Sequence, residues 1–95
     1  MNISVRFFTN LREITGKREE ALSFPDAQEV TLDRVVMILA NEYGRDFADY
    51  VYDVKTHEVK GFLQFLVNGK NAIDGQMTRL NDGDVLAILP PVGGG

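Results

Sequence analysis

The 95 residues leave room for one domain around one hydrophobic core, with 44% apolar and 25% charged side chains in ordinary globular proportion. The absence of cysteine excludes disulfides, thiolate metal sites and a thiol nucleophile, and a single histidine excludes a histidine-rich metal site. A formal charge of -4 argues against nucleic acid as a partner, and no apolar run approaches the roughly 18–20 residues that cross a bilayer.

The first residues, Met1 to Arg6, lack the basic region and apolar stretch of a signal peptide, so a cytoplasmic location with no membrane partner is expected. From Asn2 to Phe8 the chain alternates, with Ile3, Val5 and Phe7 on one side and Ser4 and Arg6 on the other, which predicts a half-buried strand. Phe7 and Phe8 cannot both face the core from one strand, so one of them is expected to face outward. Thr15-Gly16-Lys17 signals a turn. Glu20 to Phe24 reads as a short second strand that Pro25 and Asp26 end, with Glu19-Glu20 as its solvated start.

A helix is predicted next, because Leu32, Val35, Val36, Leu39 and Tyr43 recur along one stripe. Thr31 suits its N-cap, Asp33 its first turn, and Gly44 a left-handed end. Within 45–61, Phe47, Tyr50 and Val51 have the spacing of one short helical turn on the core, and Lys55-Thr56-His57-Glu58 reads as an exposed loop. Phe62 to Val67 is an apolar strand, and Asn68-Gly69 the strongest hairpin signal in the chain. Asn81-Asp82-Gly83-Asp84 makes a further turn. Val85 to Leu89 is apolar without alternation, as expected of a strand that is covered on both faces or central.

Three of the nine glycines are the last three residues, directly after Pro90-Pro91-Val92. The prolines fix φ near −65° and stiffen the exit, while glycines without a Cβ can enter a slot too narrow for other residues. Extended, the four residues from Val92 reach roughly 13 Å. The division expected is therefore a domain over residues 1–91 and a tail over 92–95. An ionised α-carboxylate at Gly95 can attack the α-phosphate of ATP to give an acyl-adenylate, which then accepts sulfur or an amine. The chain needs no acid, base, metal or bound cofactor of its own for this, since an activating enzyme supplies them. It is expected to be non-catalytic alone. His57 has no candidate nucleophile near it in sequence and reads as a loop histidine. Asp82 and Asp84, flanking Gly83, read as turn formers rather than cation ligands.

With these pieces in place, the sequence resembles the small, sulfur-carrying subunit of molybdopterin synthase and its ubiquitin-like relatives. The likeness runs through Val5-Arg6-Phe7-Phe8, Leu11-Arg12-Glu13, Gly16-Lys17, Val67-Asn68-Gly69 and Leu80-Asn81-Asp82-Gly83-Asp84-Val85 to the ending Pro90-Pro91-Val92-Gly93-Gly94-Gly95. The resemblance implies an α+β, β-grasp fold, in which a mixed sheet of four to five strands packs against one main helix. Its first and last strands run parallel in mid-sheet.

It also implies a function. Gly95 would be adenylated and thiocarboxylated, with Gly94 as the penultimate glycine. Sulfur would then pass to a pterin precursor during molybdenum or tungsten cofactor synthesis. Implied partners are the synthase large subunit and an adenylating enzyme similar to ubiquitin-activating enzymes, which uses ATP. Phe8 and Leu89 match positions of the family's apolar docking face, continued by Pro90, Pro91, Val92 and Gly93. Leu89 departs from the Phe of many relatives. Two other readings stand beside this one: a ubiquitin-like modifier joined to lysines through the same glycine, and an inert β-grasp interaction module. A thiamine-pathway sulfur carrier is a weaker fourth, because such proteins are usually shorter and lack the Pro-Pro segment.

Overall fold

The computed structural model describes residues 1–25, 28–53 and 55–90. Strand β1 (Asn2–Phe7) buries Ile3, Val5 and Phe7 completely and turns Ser4 and Arg6 to the other face, as its alternation predicts. It pairs antiparallel with β2 (Glu19–Ser23) on one side and parallel with β7 (Val85–Leu89) on the other. Strand β4 (Gln64–Val67) runs antiparallel to β7 and turns into the two-residue β5 (Lys70–Asn71), giving a mixed sheet in the order β2-β1-β7-β4-β5.

The last strand is therefore central, but only one of its faces is covered. Leu86 and Ile88 are fully buried, while Val85, Ala87 and Leu89 are half-buried. The unbroken apolar run thus leaves an apolar outer face in the middle of the sheet. Its turns are tied together as the sequence suggests. Asn68 and Gly69 both take positive φ, 53° and 84°. The Asn68 side chain then accepts from the Val85 amide at 2.9 Å and donates to Asp84 at 2.8 Å, joining the hairpin to the turn that launches β7.

The main helix, α2 (Leu32–Tyr43), packs Leu32, Val35, Val36 and Leu39 into the core with no residual exposure. The Thr31 hydroxyl accepts the Arg34 amide at its start, the predicted N-cap. Its end corrects an expectation. Gly44 has φ 82° and ψ −154°, an extended conformation essentially reserved for glycine, not the left-handed helical one. That kink lets a new helix, α3 (Arg45–Val51), begin at once, where the sequence suggests a single turn. Phe47 and Val51 of α3 are fully buried. Phe47 stacks on Tyr43 at 5.9 Å, and both rings meet the edge of Phe7 at 6.1–6.4 Å.

Elements too short to show a period went unread. Helix α1 (Asn10–Thr15) carries only Leu11, Ile14 and Thr15 as an inward stripe and ends in Gly16, whose left-handed conformation fits the predicted turn. Strands β3 (Val30–Thr31) and β6 (Arg79–Leu80) form a separate antiparallel pair of two residues each.

The reading of Glu20 as solvated is also corrected. The register places Glu20 opposite the buried Val5, so its side chain lies on the inner face, under the end of α2, with only 9% of its surface exposed. There the Tyr43 hydroxyl donates to it and the Lys17 ammonium stands 3.3 Å away. Burial pushes the Glu20 carboxyl up, but hydrogen bonds from Tyr43, Glu42 and Lys17 outweigh it and hold the group below its ordinary value of 4.5. Glu42 moves upward, chiefly through its hydrogen bond with Glu20. A depressed carboxyl stabilises the fold fully above its unfolded pKa, and that stability is lost as pH falls through the folded value. Tyr43→Phe is therefore expected to cost about 1–2 kcal/mol near neutrality, with the deficit shrinking below pH 4.5 as Glu20 protonates. Urea titrations of both proteins from pH 7 to pH 3 measure it; a deficit constant with pH would show that the hydroxyl does not act through the carboxylate.

Candidate functional site

The parallel pairing of β1 with β7 brings two strand ends to the same end of the sheet. Phe7 is in register with Ile88 and both are buried, so the next residues, Phe8 and Leu89, come side by side on the opposite, open face. Both are half-buried, and Pro90, also half-buried, follows directly. The sequence expectation that one of Phe7 and Phe8 faces outward is met by Phe8. Beyond it the chain turns sharply through Thr9, whose φ is 47°, into α1.

The same face carries more than the sequence indicated. Leu66 is in register with Ala87 and Gln64 with Leu89, so Leu66 and Ala87 extend the apolar surface across β4 and β7. Phe62, 51% exposed, leads into β4 at the same end of the sheet. The apolar run of β7, and that of 62–67 broken only by Gln64, were the available signal.

Electrostatically, the exit differs from the rest of the acidic chain. The guanidinium groups of Arg12 and Arg6 lie 5.5 and 6.0 Å from the Phe8 ring centre, and Arg12 is held there by a bond from its Nε to the Phe7 carbonyl at 3.1 Å. Arg12 comes from α1, an element without a visible period, so its approach to Phe8 could not be read in advance. The expected docking surface is thus an apolar strip with a cationic rim, although the molecule carries -4 overall.

Of the remaining sequence candidates, Pro91, Val92, Gly93, Gly94 and Gly95 lie outside the described residues. His57 is exposed on a loop with φ 62°. Asp84 accepts the Asn81 amide at 2.7 Å within its own turn, as expected of a turn former, whereas Asp82 accepts the distant Asn2 amide at 2.7 Å and ties the turn to β1. Among the described residues no cluster of His, Cys, Asp or Glu could hold a metal ion, and no helix is long and apolar enough to cross a membrane.

A mixed sheet with parallel first and last strands at its centre, crossed on one face by a single long helix, defines the ubiquitin-like β-grasp class of α+β proteins. The sequence over residues 5–95 matches the ThiS family, and the chain belongs to that family. Among its relatives, the small archaeal modifier protein 3 of Haloferax volcanii is 33% identical, the match covering all of both chains. A putative sulfur carrier protein of Archaeoglobus fulgidus is 29% identical over 74% of this chain and 80% of its own. The solution structure of small archaeal modifier protein 1 from Methanosarcina acetivorans superposes with a TM-score of 0.81 at 30% identity, covering 99% of this chain and 96% of that one.

Proposed function

We propose that this chain is an activatable carrier whose working group is the carboxylate of Gly95, adenylated by a partner enzyme and then converted to a thiocarboxylate. The observation that carries the reading is the position of β7. The strand leading to the Pro-Pro-Val-Gly-Gly-Gly ending is clamped between β1 and β4 at mid-sheet, so the exit of the tail is fixed relative to the apolar face of Phe8, Leu66 and Leu89. A partner gripping that face receives the tail at a defined place. The family match running through residue 95 supports the same reading.

The chemistry follows from the groups available. The carboxylate attacks the α-phosphate of ATP and pyrophosphate leaves; a sulfur nucleophile then attacks the acyl carbon and AMP leaves, so one oxygen is exchanged for sulfur. ATP is used by the partner and the carrier binds no cofactor. In the first outlet, the thiocarboxylate enters the large subunit of a molybdopterin synthase and passes its sulfur to a pterin precursor, the role for which the Pro90-Pro91-Val92 and Gly94-Gly95 ending speaks. In the second, the activated acyl group meets a lysine amine and forms an isopeptide bond. The full-length likeness to small archaeal modifier protein 3 favours this outlet, and both outlets share the activation step.

Intact-mass analysis tests the common step. After incubation with a cognate adenylating enzyme, ATP and a sulfide donor, the carrier is expected to gain the mass difference between sulfur and oxygen. An unchanged mass, with the enzyme proven on another carrier, would leave only an inert β-grasp module. Capture of a pterin-synthase large subunit then points to the first outlet, and lysine conjugates that vanish without Gly94 and Gly95 to the second.

A further inference from the structure

The helix side of the sheet carries a second concave surface, remote from the open face that bears Phe8, Leu66 and Leu89. Helices α2 and α3 bound an open cleft of about 540 Å³, within the size range of sites that seat several side chains. Its floor is apolar, from Met37 and Ala40 of α2 and Ala48 of α3, with Tyr52 just beyond α3. Met37 is 52% exposed, although Val35 and Val36 beside it are completely buried. A flexible thioether on a concave helical surface adapts readily to an incoming apolar side chain.

Carboxylates edge this floor. Asp33 stands one turn before Met37 on the same stripe of α2, and Asp49 next to Ala48 on α3. Among the described residues neither carboxylate has a cationic partner, the ion pairs being Lys17–Glu20 and Arg79–Glu29 elsewhere. The nearby cation Lys60 is engaged by the Asp49 backbone carbonyl at 2.7 Å, and exposed His57 closes one end. Asp53, beside His57, is already used by its own loop, accepting the Lys55 and Thr56 amides at 2.8 and 3.2 Å. Burial, and after it the charge of Asp33, push the Tyr52 hydroxyl above its ordinary value.

We propose that this cleft docks a basic amphipathic segment of a partner protein, with apolar side chains against Met37, Ala40, Ala48 and Tyr52 and lysine or arginine side chains over Asp33 and Asp49. Charge complementarity selects this occupant. An acidic segment would meet two carboxylates that lack a cationic side-chain partner and a chain of net charge -4, and a purely apolar one would leave them desolvated beside it. The cleft and the open face that bears Phe8, Leu66 and Leu89 stand on opposite sides of the sheet, so a partner held here need not displace one that grips that face.

Chemical-shift mapping of the ¹⁵N-labelled full chain tests the assignment, with a synthetic leucine–lysine amphipathic peptide as probe and its leucine–glutamate counterpart as control. The basic peptide is expected to shift the amides of Met37, Ala40, Ala48 and Tyr52 saturably and to leave those of Leu66, Ala87 and Leu89 in place. Asp33→Asn with Asp49→Asn is expected to weaken it roughly threefold to tenfold, and Met37→Lys to abolish saturation, circular dichroism verifying that both variants stay folded. The proposal is overturned by no binding, by equal binding of the acidic peptide, by shifts spread over the surface, or by affinity unchanged in the variants. Concentration-dependent shifts at the cleft without any peptide would assign it to a second copy of this chain and overturn the proposal equally.

Discussion

Truncating Phe7 to alanine is expected to lower the folding free energy by about 3–5 kcal/mol, whereas the same change one residue later, at Phe8, costs about 1 kcal/mol or less. Phe7 is fully buried and meets Tyr43 and Phe47 edge-on, so its loss opens a cavity at the joint of β1, α2 and α3. A domain of this size has only about 5–15 kcal/mol in total, and the variant should melt at a temperature lower by at least about 12 °C. Phe8 contacts the solvent-facing side and its neighbours are two arginines. Its truncation removes an aromatic anchor from the proposed docking face instead, and binding to the proposed activating enzyme is expected to weaken by roughly tenfold or more. Urea denaturation and titration calorimetry on the two variants separate these effects. If Phe8→Ala unfolds the protein as readily as Phe7→Ala, or leaves enzyme binding untouched, the open face has been misassigned.

The second large effect concerns the tail. Gly94→Ala adds a single methyl group, and the argument for a narrow catalytic slot predicts that adenylation falls by roughly a hundredfold, the loss that a misplaced reacting group typically brings. Folding is expected to change by no more than about 0.5 kcal/mol. Deleting Gly95 should also stop activation if the slot measures length, because the carboxylate then falls one residue, roughly 3.5 Å, short of the reacting phosphate. Pyrophosphate release by the activating enzyme reads out both variants. Full rates with Gly94→Ala would defeat the slot argument while leaving the carrier reading itself intact.

How legible the protein was depends on the length over which each pattern repeats. β1, and α2 with its N-cap, could be read because five or more residues each enforce a period of two or of 3.6. The Asn68-Gly69 hairpin was legible from two residues, since few others tolerate positive φ in succession. α1, β3 and β6 were silent, being six residues or fewer with at most one repeat of any stripe. Gly44 was legible as a helix stop but not as the pivot into α3, because glycine permits several conformations and the choice is made by Phe47 finding Tyr43 and Phe7. Within the candidate site, the tail and the Phe8–Leu89 pair were visible in the sequence. Arg6, Arg12 and Leu66 were not, since strand register and the turn at Thr9 bring them there.

Composition and local pattern were enough to exclude cysteine chemistry and to place the principal strands and the main helix. These properties depend on residues close together in the chain. The parallel seat of β7, the inward turn of Glu20 beneath Tyr43, the cationic edge of the open face and the acidic cleft behind it arise between residues far apart in sequence. Each depends on which strand lies beside which, and that is settled when the apolar stripes of β1, α2, α3 and β7 exclude water together.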